Sequence, residues 1–399
     1  MNFSWVELTA QAVSEYETPL YISAWAPVLS ALDELKVLEV ALPIRHWLSF
    51  KTHPVAPLVR AWRNLGNGVE VVSDYEFLAA LKEGFEPDRI LVNGVAKHKW
   101  LSRHRIRGIR VHFDSLREIE ELATQAITCE WRVGIRCHVT EEYDPDEPEF
   151  ADQFGMLENE AVASIRKLHE MGALIESVHF HIRTNVSSAD SYLHSIKELS
   201  HTCRAAKFSP IYVDCGGGLP VPGECSVTHG KSQRNFDLSK LRQVFAYLPS
   251  EFQDAHEIWL ENGRYVTARS AVLVVRVVDI KNRADSRYLI CDGGRTNHAL
   301  VSDWEVHDIS TLPLRDGSSC LTTVCGPTCM AFDRLIRMNL PNNIQIGDYI
   351  IWMNAGAYHI PWETRFSYGL AKVIWCDENG RLSVAREKES FSHWWSQWL

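Results

Sequence analysis

The strongest constraint in this sequence is an alternation. Short β-branched or aromatic runs recur eight times, at His46–Lys51, Val69–Ser73, Ile90–Asn93, Ile109–Phe113, Val133–Val139, Ser177–Ile182, Ile211–Asp214 and Ile258–Leu260. Between them lie stretches such as SLREIEELATQA and ENEAVASIRKLHEM, whose apolar residues recur at helical spacing and whose first residues are Ser or Glu. Eight strands alternating with helices predict a (β/α)8 barrel of the TIM type. After Arg264 the texture changes. AVLVVRVVDIK, SRYLICDGG, GDYIIWMNAGAY and GLAKVIWCDENGRLSV read as strands separated by turn residues with little helix between them, which is the pattern of a β-domain. The expected class is therefore α/β: a barrel over 27–263, and a second, mostly β domain formed by 1–26 with 264–399. A chain of 399 residues is long enough to bury both cores.

Charge and cysteine usage narrow the function. The net charge is −10 and no run of Lys and Arg resembles a phosphate-backbone stripe, which argues against a nucleic-acid partner. No apolar stretch reaches the ~18 residues of a membrane span. Glu7 and Glu15 stand where a signal peptide would need basic and then apolar residues, so a cytoplasmic protein is expected. The ten cysteines are scattered without C-x-x-C pairs, and neither a disulfide framework nor a metal site is predicted.

In a barrel of this kind, chemistry sits where the strands end. Lys51 closes the first predicted strand, His181 stands near the end of the sixth, DCGGGLP follows the seventh and ENGR the eighth. All would face one mouth. A glycine run by itself is equally a tight turn, but Gly216, Gly217 and Gly218 beside Arg264 would let backbone N–H groups and a guanidinium close on a phosphate. A lysine beside such a cradle suggests Schiff-base chemistry with pyridoxal phosphate, with burial lowering the pKa of the amine.

The order FKTHP, GVEVVSDYE, HFHIRTN, DCGGGLP, ENGRYV, CGPTCMAFD and GAYHIPWETRF resembles the alanine-racemase-fold (fold type III) pyridoxal-phosphate-dependent amino acid decarboxylases, which include the ornithine and diaminopimelate enzymes. The resemblance spans nearly the whole chain. It implies that Lys51 is the Schiff-base lysine and that His181 stacks on the cofactor ring. It places Gly216, Gly217, Gly218, Gly263, Arg264, Thr184 and Tyr358 around the phosphate, and Glu261 on the pyridine nitrogen. Cys329 becomes the proton donor, supplied across a homodimer interface so that active sites are shared. His179, two residues before His181, is either packing or support for the site. Glu261 argues against a racemase, because racemases of this fold carry an arginine there. Non-catalytic relatives resembling antizyme inhibitor are the other alternative, and retention of the cofactor residues speaks against them.

The departures bear on substrate. Arg183 and Thr184 replace a Gly–Ser pair, adding positive charge, and Asn262 replaces a proline. Met330 stands where polyamine and diaminopimelate enzymes carry an acid for the distal amine. Arg295 and Asp303 are further substrate candidates. The expectation is an amino acid with a neutral or anionic far end, such as a conjugated intermediate of siderophore or peptide-antibiotic biosynthesis. A diaminopimelate- or ornithine-type enzyme of primary metabolism is the alternative.

Overall fold

The structure is a computed structural model that describes residues 3–40, 42–140, 153–222, 225–226, 236–284, 286–298, 301 and 305–399. After β1 (Leu20–Ala24), eight parallel strands follow: β2 (Ile44–Ser49), β3 (Gly68–Val71), β4 (Ile90–Val92), β5 (Arg110–Phe113), β6 (Arg132–Arg136), β7 (Leu174–His179), β8 (Tyr212–Asp214) and, after the short β9 (Cys225–Ser226), β10 (Glu257–Asn262). β10 pairs with both β8 and β2, closing the barrel. All eight predicted strands are present with shifted bounds. Two shifts matter: β2 stops at Ser49, leaving Lys51 on a 3-10 turn (Phe50–Thr52), and β7 stops at His179, leaving His181 in the loop beyond.

Helices follow the strands because the sequence starts them well. Ser73, Ser115, Ser188 and Asp237 each cap a helix by accepting a backbone N–H two or three residues on. The helix Leu116–Thr128 then buries Ile119, Leu122, Ala123 and Ala126. Outward residues of the strands, such as Leu48, Val69, Ile90, Val111, Val133, Val178, Val213 and Ile258, join these helix faces in one core.

Period-2 alternation sends the other residues of each strand inward. Low in the barrel, Trp47 and Trp259 pack with ring centroids 5.0 Å apart, and the Arg110 guanidinium lies 5.4 Å from the Trp259 ring. A Cβ on Gly68 would sit 2.3 Å from the Trp47 ring, so that glycine is the space the indole fills. Two residues further along each strand, the inward positions are Ser49, Glu70, Asn93, His112, Arg136, His179, Asp214 and Glu261. The floor is aromatic and the upper layer polar.

The second domain is a nine-stranded sheet. β1 lies between the long β11 (Ala271–Arg283) and β18 (Lys372–Cys376), so residues before the barrel complete a sheet formed mainly after it. β11 pairs with β1 and β17 (Tyr349–Trp352), then passes a register shift between Val277 and Asp279 and continues against β12 (Ser286–Cys291). β13 (Glu305–Val306) pairs with β9 and β14 (Ile309–Leu312) with β17. β15 (Ser319–Cys325), β16 (Arg334–Pro341) and β19 (Leu382–Arg386) fill the edges. The GAY turn docks on the turn that carries Lys51: Tyr358 N–H donates to Thr52 O at 2.8 Å, and His53 Nδ1 lies 2.6 Å from Gly356 O. Only glycine fits at Gly356, where a Cβ would lie 1.8 Å from Thr267 O.

Candidate active site

A cavity of about 450 Å³ opens at the C-terminal ends of the barrel strands. It brings together Lys51, His181, Thr184, Gly217, Gly218, Glu261, Gly263, Arg264 and Tyr358. Gly216 stands just behind, with a Cβ position 3.0 Å from His181 Nδ1.

Lys51 Nζ is 3.5 Å from Glu70 Oε1, and Ser49 Oγ donates to Glu70 Oε2 at 2.6 Å. Burial pulls the ammonium pKa down, but Glu70, Tyr358, Glu261 and Glu76 outweigh it and the net shift is upward. This corrects the expectation of a lowered amine pKa. The turn places the lysine among acids, and in the protein alone the charged form is favoured.

Glu261, one residue before the end of β10, is buried, which raises its pKa, while His181, Lys51, Arg136 and Asn93 oppose that rise. Asn93 Nδ2 donates to Glu261 Oε1, and His179 Nε2 lies 3.4 Å from the same oxygen. Both contacts fall on Oε1, which leaves Oε2 for a group in the cavity. His179 stacks on His112, with centroids 4.8 Å apart, and His112 Nδ1 is 3.8 Å from Asp214 Oδ2. Gly134 makes room for this stack, since a Cβ there would lie 2.3 Å from the His112 ring. The candidate ligand atoms of His112, His179, Asp214 and Glu261 lie within 4.8 Å of one another, a donor set that a divalent ion could use. Burial holds both imidazoles well below their ordinary pKa and raises those of Asp214 and Glu261, so throughout the cluster it opposes the charged form.

His181 accepts a hydrogen bond at Nδ1 from Gly217 N–H, 3.1 Å away, which places the proton of the neutral ring on Nε2. Burial pushes its pKa down to about 3, so it presents a neutral flat ring. A Cβ on Gly217 would lie 2.5 Å from Glu261 O, and one on Gly218 2.2 Å from Arg183 O, where φ is also +97°. These backbones approach as only glycine permits. Arg264 reaches Thr184 Oγ1 at 3.4 Å and lies 5.0 Å from the Tyr358 ring centroid. Asn262, the departure from proline, is 2.6 Å from His46 Nδ1 through its Nδ2.

The remaining expectations divide. Arg183 is buried, and its side chain is absent from the cavity lining. The cation that faces the cavity there is Arg136, whose Nη1 is 3.3 Å from Asp114 Oδ1 and whose guanidinium lies 4.6 Å from the Phe154 ring. Cys329 is exposed on the β15–β16 connection and is not among the residues that line the cavity. Met330 sits beside it. Arg295 is not among the cavity's described lining residues; its backbone N–H donates to Asp333 Oδ1 at 2.8 Å and its Nε to Arg334 O at 3.4 Å. Asp303 lies outside the described residues. Glu70, Asn93 and Arg136 were missed, although each is a polar residue near the end of a buried strand, where side chains point into a barrel mouth.

The lining fits pyridoxal phosphate. A cradle that any Cβ would fill, with a guanidinium, suits the phosphate. A neutral imidazole suits the ring face, a buried carboxylate the ring nitrogen, and a lysine amine the aldehyde.

The comparisons agree. Residues 33–268 match the family described as pyridoxal-dependent decarboxylase, pyridoxal binding domain. A diaminopimelate decarboxylase of Methanothermobacter thermautotrophicus is 24% identical, covering 96% of this chain and 92% of its own. The L-glutamyl-[BtrI acyl-carrier protein] decarboxylase of Niallia circulans is 25% identical over 90% of this chain and 88% of its own. The structure of Helicobacter pylori diaminopimelate decarboxylase complexed with L-lysine superposes with a TM-score of 0.82, at 20% identity and with 98% of each chain covered. With a cavity that suits the cofactor and a family match over more than half its length, this chain belongs to the pyridoxal-dependent decarboxylases.

Proposed function

We propose that the protein removes the α-carboxylate of an amino acid whose far end is neutral or anionic, such as an aminoacyl group on a larger intermediate. The observation that carries this reading is the charge of the cavity. Among the described residues, the carboxylates lining it are Glu70, held by Ser49 and Lys51, and Glu261, held at Oε1 by Asn93 with Oε2 reserved for the ring nitrogen, whereas Arg136 faces in beside Val72, Val95 and Phe154. A distal ammonium entering there would lose its hydration without meeting a free acid among the described residues, a cost of several kcal/mol for an uncompensated buried charge. An anionic or amide tail would meet Arg136. The acyl-carrier-protein relative lends support.

When bound, pyridoxal phosphate supplies an electron sink for the pair left on the α-carbon as CO2 departs. Lys51 would hold its aldehyde and be displaced by the substrate amine. Glu261 Oε2 would keep a proton on the ring nitrogen, and the neutral His181 ring would cover one face. The glycine amides, Thr184 and Arg264 would hold the phosphate. Cys329 would then return a proton to the α-carbon. Because Cys329 is exposed and not among the residues lining the cavity of its own chain, this role calls for a homodimer in which each chain completes the other's site.

The second reading is a diaminopimelate decarboxylase, favoured by the names of several relatives; Arg136 could then face the distal carboxylate of diaminopimelate. The test is CO2 release from meso-diaminopimelate, L-ornithine and L-lysine against N-acyl and thioester-linked glutamyl conjugates. The proposal expects kcat/KM to favour the conjugates at least tenfold. Turnover of meso-diaminopimelate at rates typical of a dedicated enzyme, with the conjugates inert, would establish the second reading.

A further inference from the structure

Arg264 has a charged neighbour that the reading above does not use. Glu305 on β13 forms an ion pair with it through Oε1 and Nη1, and the two side chains are only 3% and 7% exposed. Its other ionisable neighbour, His307, has Nε2 3.7 Å from Glu305 Oε2 and is neutral, burial holding its pKa near 4. Among the described residues, therefore, the cation that balances this buried carboxylate is the one that faces the phosphate end of the cavity.

We propose that Glu305 shares the charge of Arg264 and so weakens retention of the cofactor phosphate, making the cofactor exchangeable. The inference rests on the pyridoxal phosphate reading of the cavity. A buried carboxylate is tolerated when a cation stays beside it. Arg264 has donors enough for two partners, so Glu305 does not block the phosphate sterically. It acts through charge. A phosphate arriving at this guanidinium finds its charge already balanced, and meets a like charge behind it in a medium that screens poorly. The glycine amides and Thr184 still offer donors, so the phosphate binds, but less tightly than the lining alone would allow.

The experiment uses the full chain freed of cofactor, with inorganic phosphate and pyridoxal phosphate titrated separately by calorimetry into wild type and Glu305→Gln. Glu305→Ala serves as the second variant should Glu305→Gln fold poorly. The expected result is a Kd at least tenfold lower for both ligands, about 1.4 kcal/mol, together with slower loss of bound cofactor on dialysis. Equal or weaker binding of both ligands in a folded variant would overturn the proposal, since Glu305 would then be neutral or would hold Arg264 in place for the phosphate. Failure of the cofactor reading looks different: wild type would then yield no borohydride-trapped adduct on Lys51, whatever Glu305 does to inorganic phosphate.

Discussion

Asn93 offers the clearest test of how Glu261 is held. Its Nδ2 donates to Glu261 Oε1, and it is itself buried. Replacing it with alanine leaves that oxygen with His179 Nε2 alone, 3.4 Å away. A hydrogen bond to a charged acceptor contributes about 1.5–3 kcal/mol. Asn93 is also among the groups that oppose the burial-driven rise in the Glu261 pKa, so its loss moves the carboxyl toward the neutral form. A neutral carboxyl cannot keep the ring nitrogen protonated. With about 1.36 kcal/mol per decade of rate, Asn93→Ala should lower kcat roughly 10- to 100-fold. Asn93→Asp should lose more, because it sets a second carboxylate against the first. The assay is CO2 release from the best substrate of the panel, alongside borohydride trapping of the cofactor on Lys51. Trapping should survive in Asn93→Ala, which separates this effect from loss of the cofactor. A kcat within twofold of wild type would refute the argument that Asn93 keeps Glu261 charged.

Three further outcomes follow from the geometry. Lys51→Ala should lose both turnover and the trappable chromophore; colour that borohydride still fixes to protein would point to another lysine. Mixing inactive Lys51→Ala with inactive Cys329→Ala chains should restore part of the activity once subunits exchange, and none should return if each chain works alone. His53, fully buried between Ser23 Oγ at 2.9 Å and Gly356 O, has its pKa pushed down by burial to about 4. Below its ordinary value near 6.5 the unfolded chain takes up a proton that the folded chain refuses. Stability therefore falls as pH drops from about 6.5 to 4, by roughly 3 kcal/mol for this group. Urea unfolding of His53→Gln should show a shallower slope over that window, and an unchanged slope would count against the assignment.

The architecture was legible because it rests on local signals. Apolar runs, helix-starting Ser residues and the change of texture after Arg264 are properties of neighbouring residues, and each maps onto an element of the fold. The chemistry-bearing motifs were legible for a related reason: Lys51, His181, the three glycines, Glu261, Arg264 and Tyr358 are short, recognisable strings, and all but Gly216 line one cavity. Gly216 backs His181.

What the sequence could not supply is the set of contacts between strands. Glu70, His112 and Asp214 lie on three different strands and Asn93 directly follows a fourth, and only barrel closure turns them toward one another. The same closure reverses the expected sign of the Lys51 shift, since desolvation is a property of a position and the opposing carboxylates come from elsewhere in the chain. It also replaces Arg183 by Arg136 as the cation at the cavity, because a loop residue beyond β7 can turn its side chain away, whereas an inward position on β6 cannot. Sequence alone determined that a barrel with a lysine at its mouth would form. Tertiary structure decided which charges surround that lysine, because charge interactions depend on distances through space that the spacing along the chain does not encode.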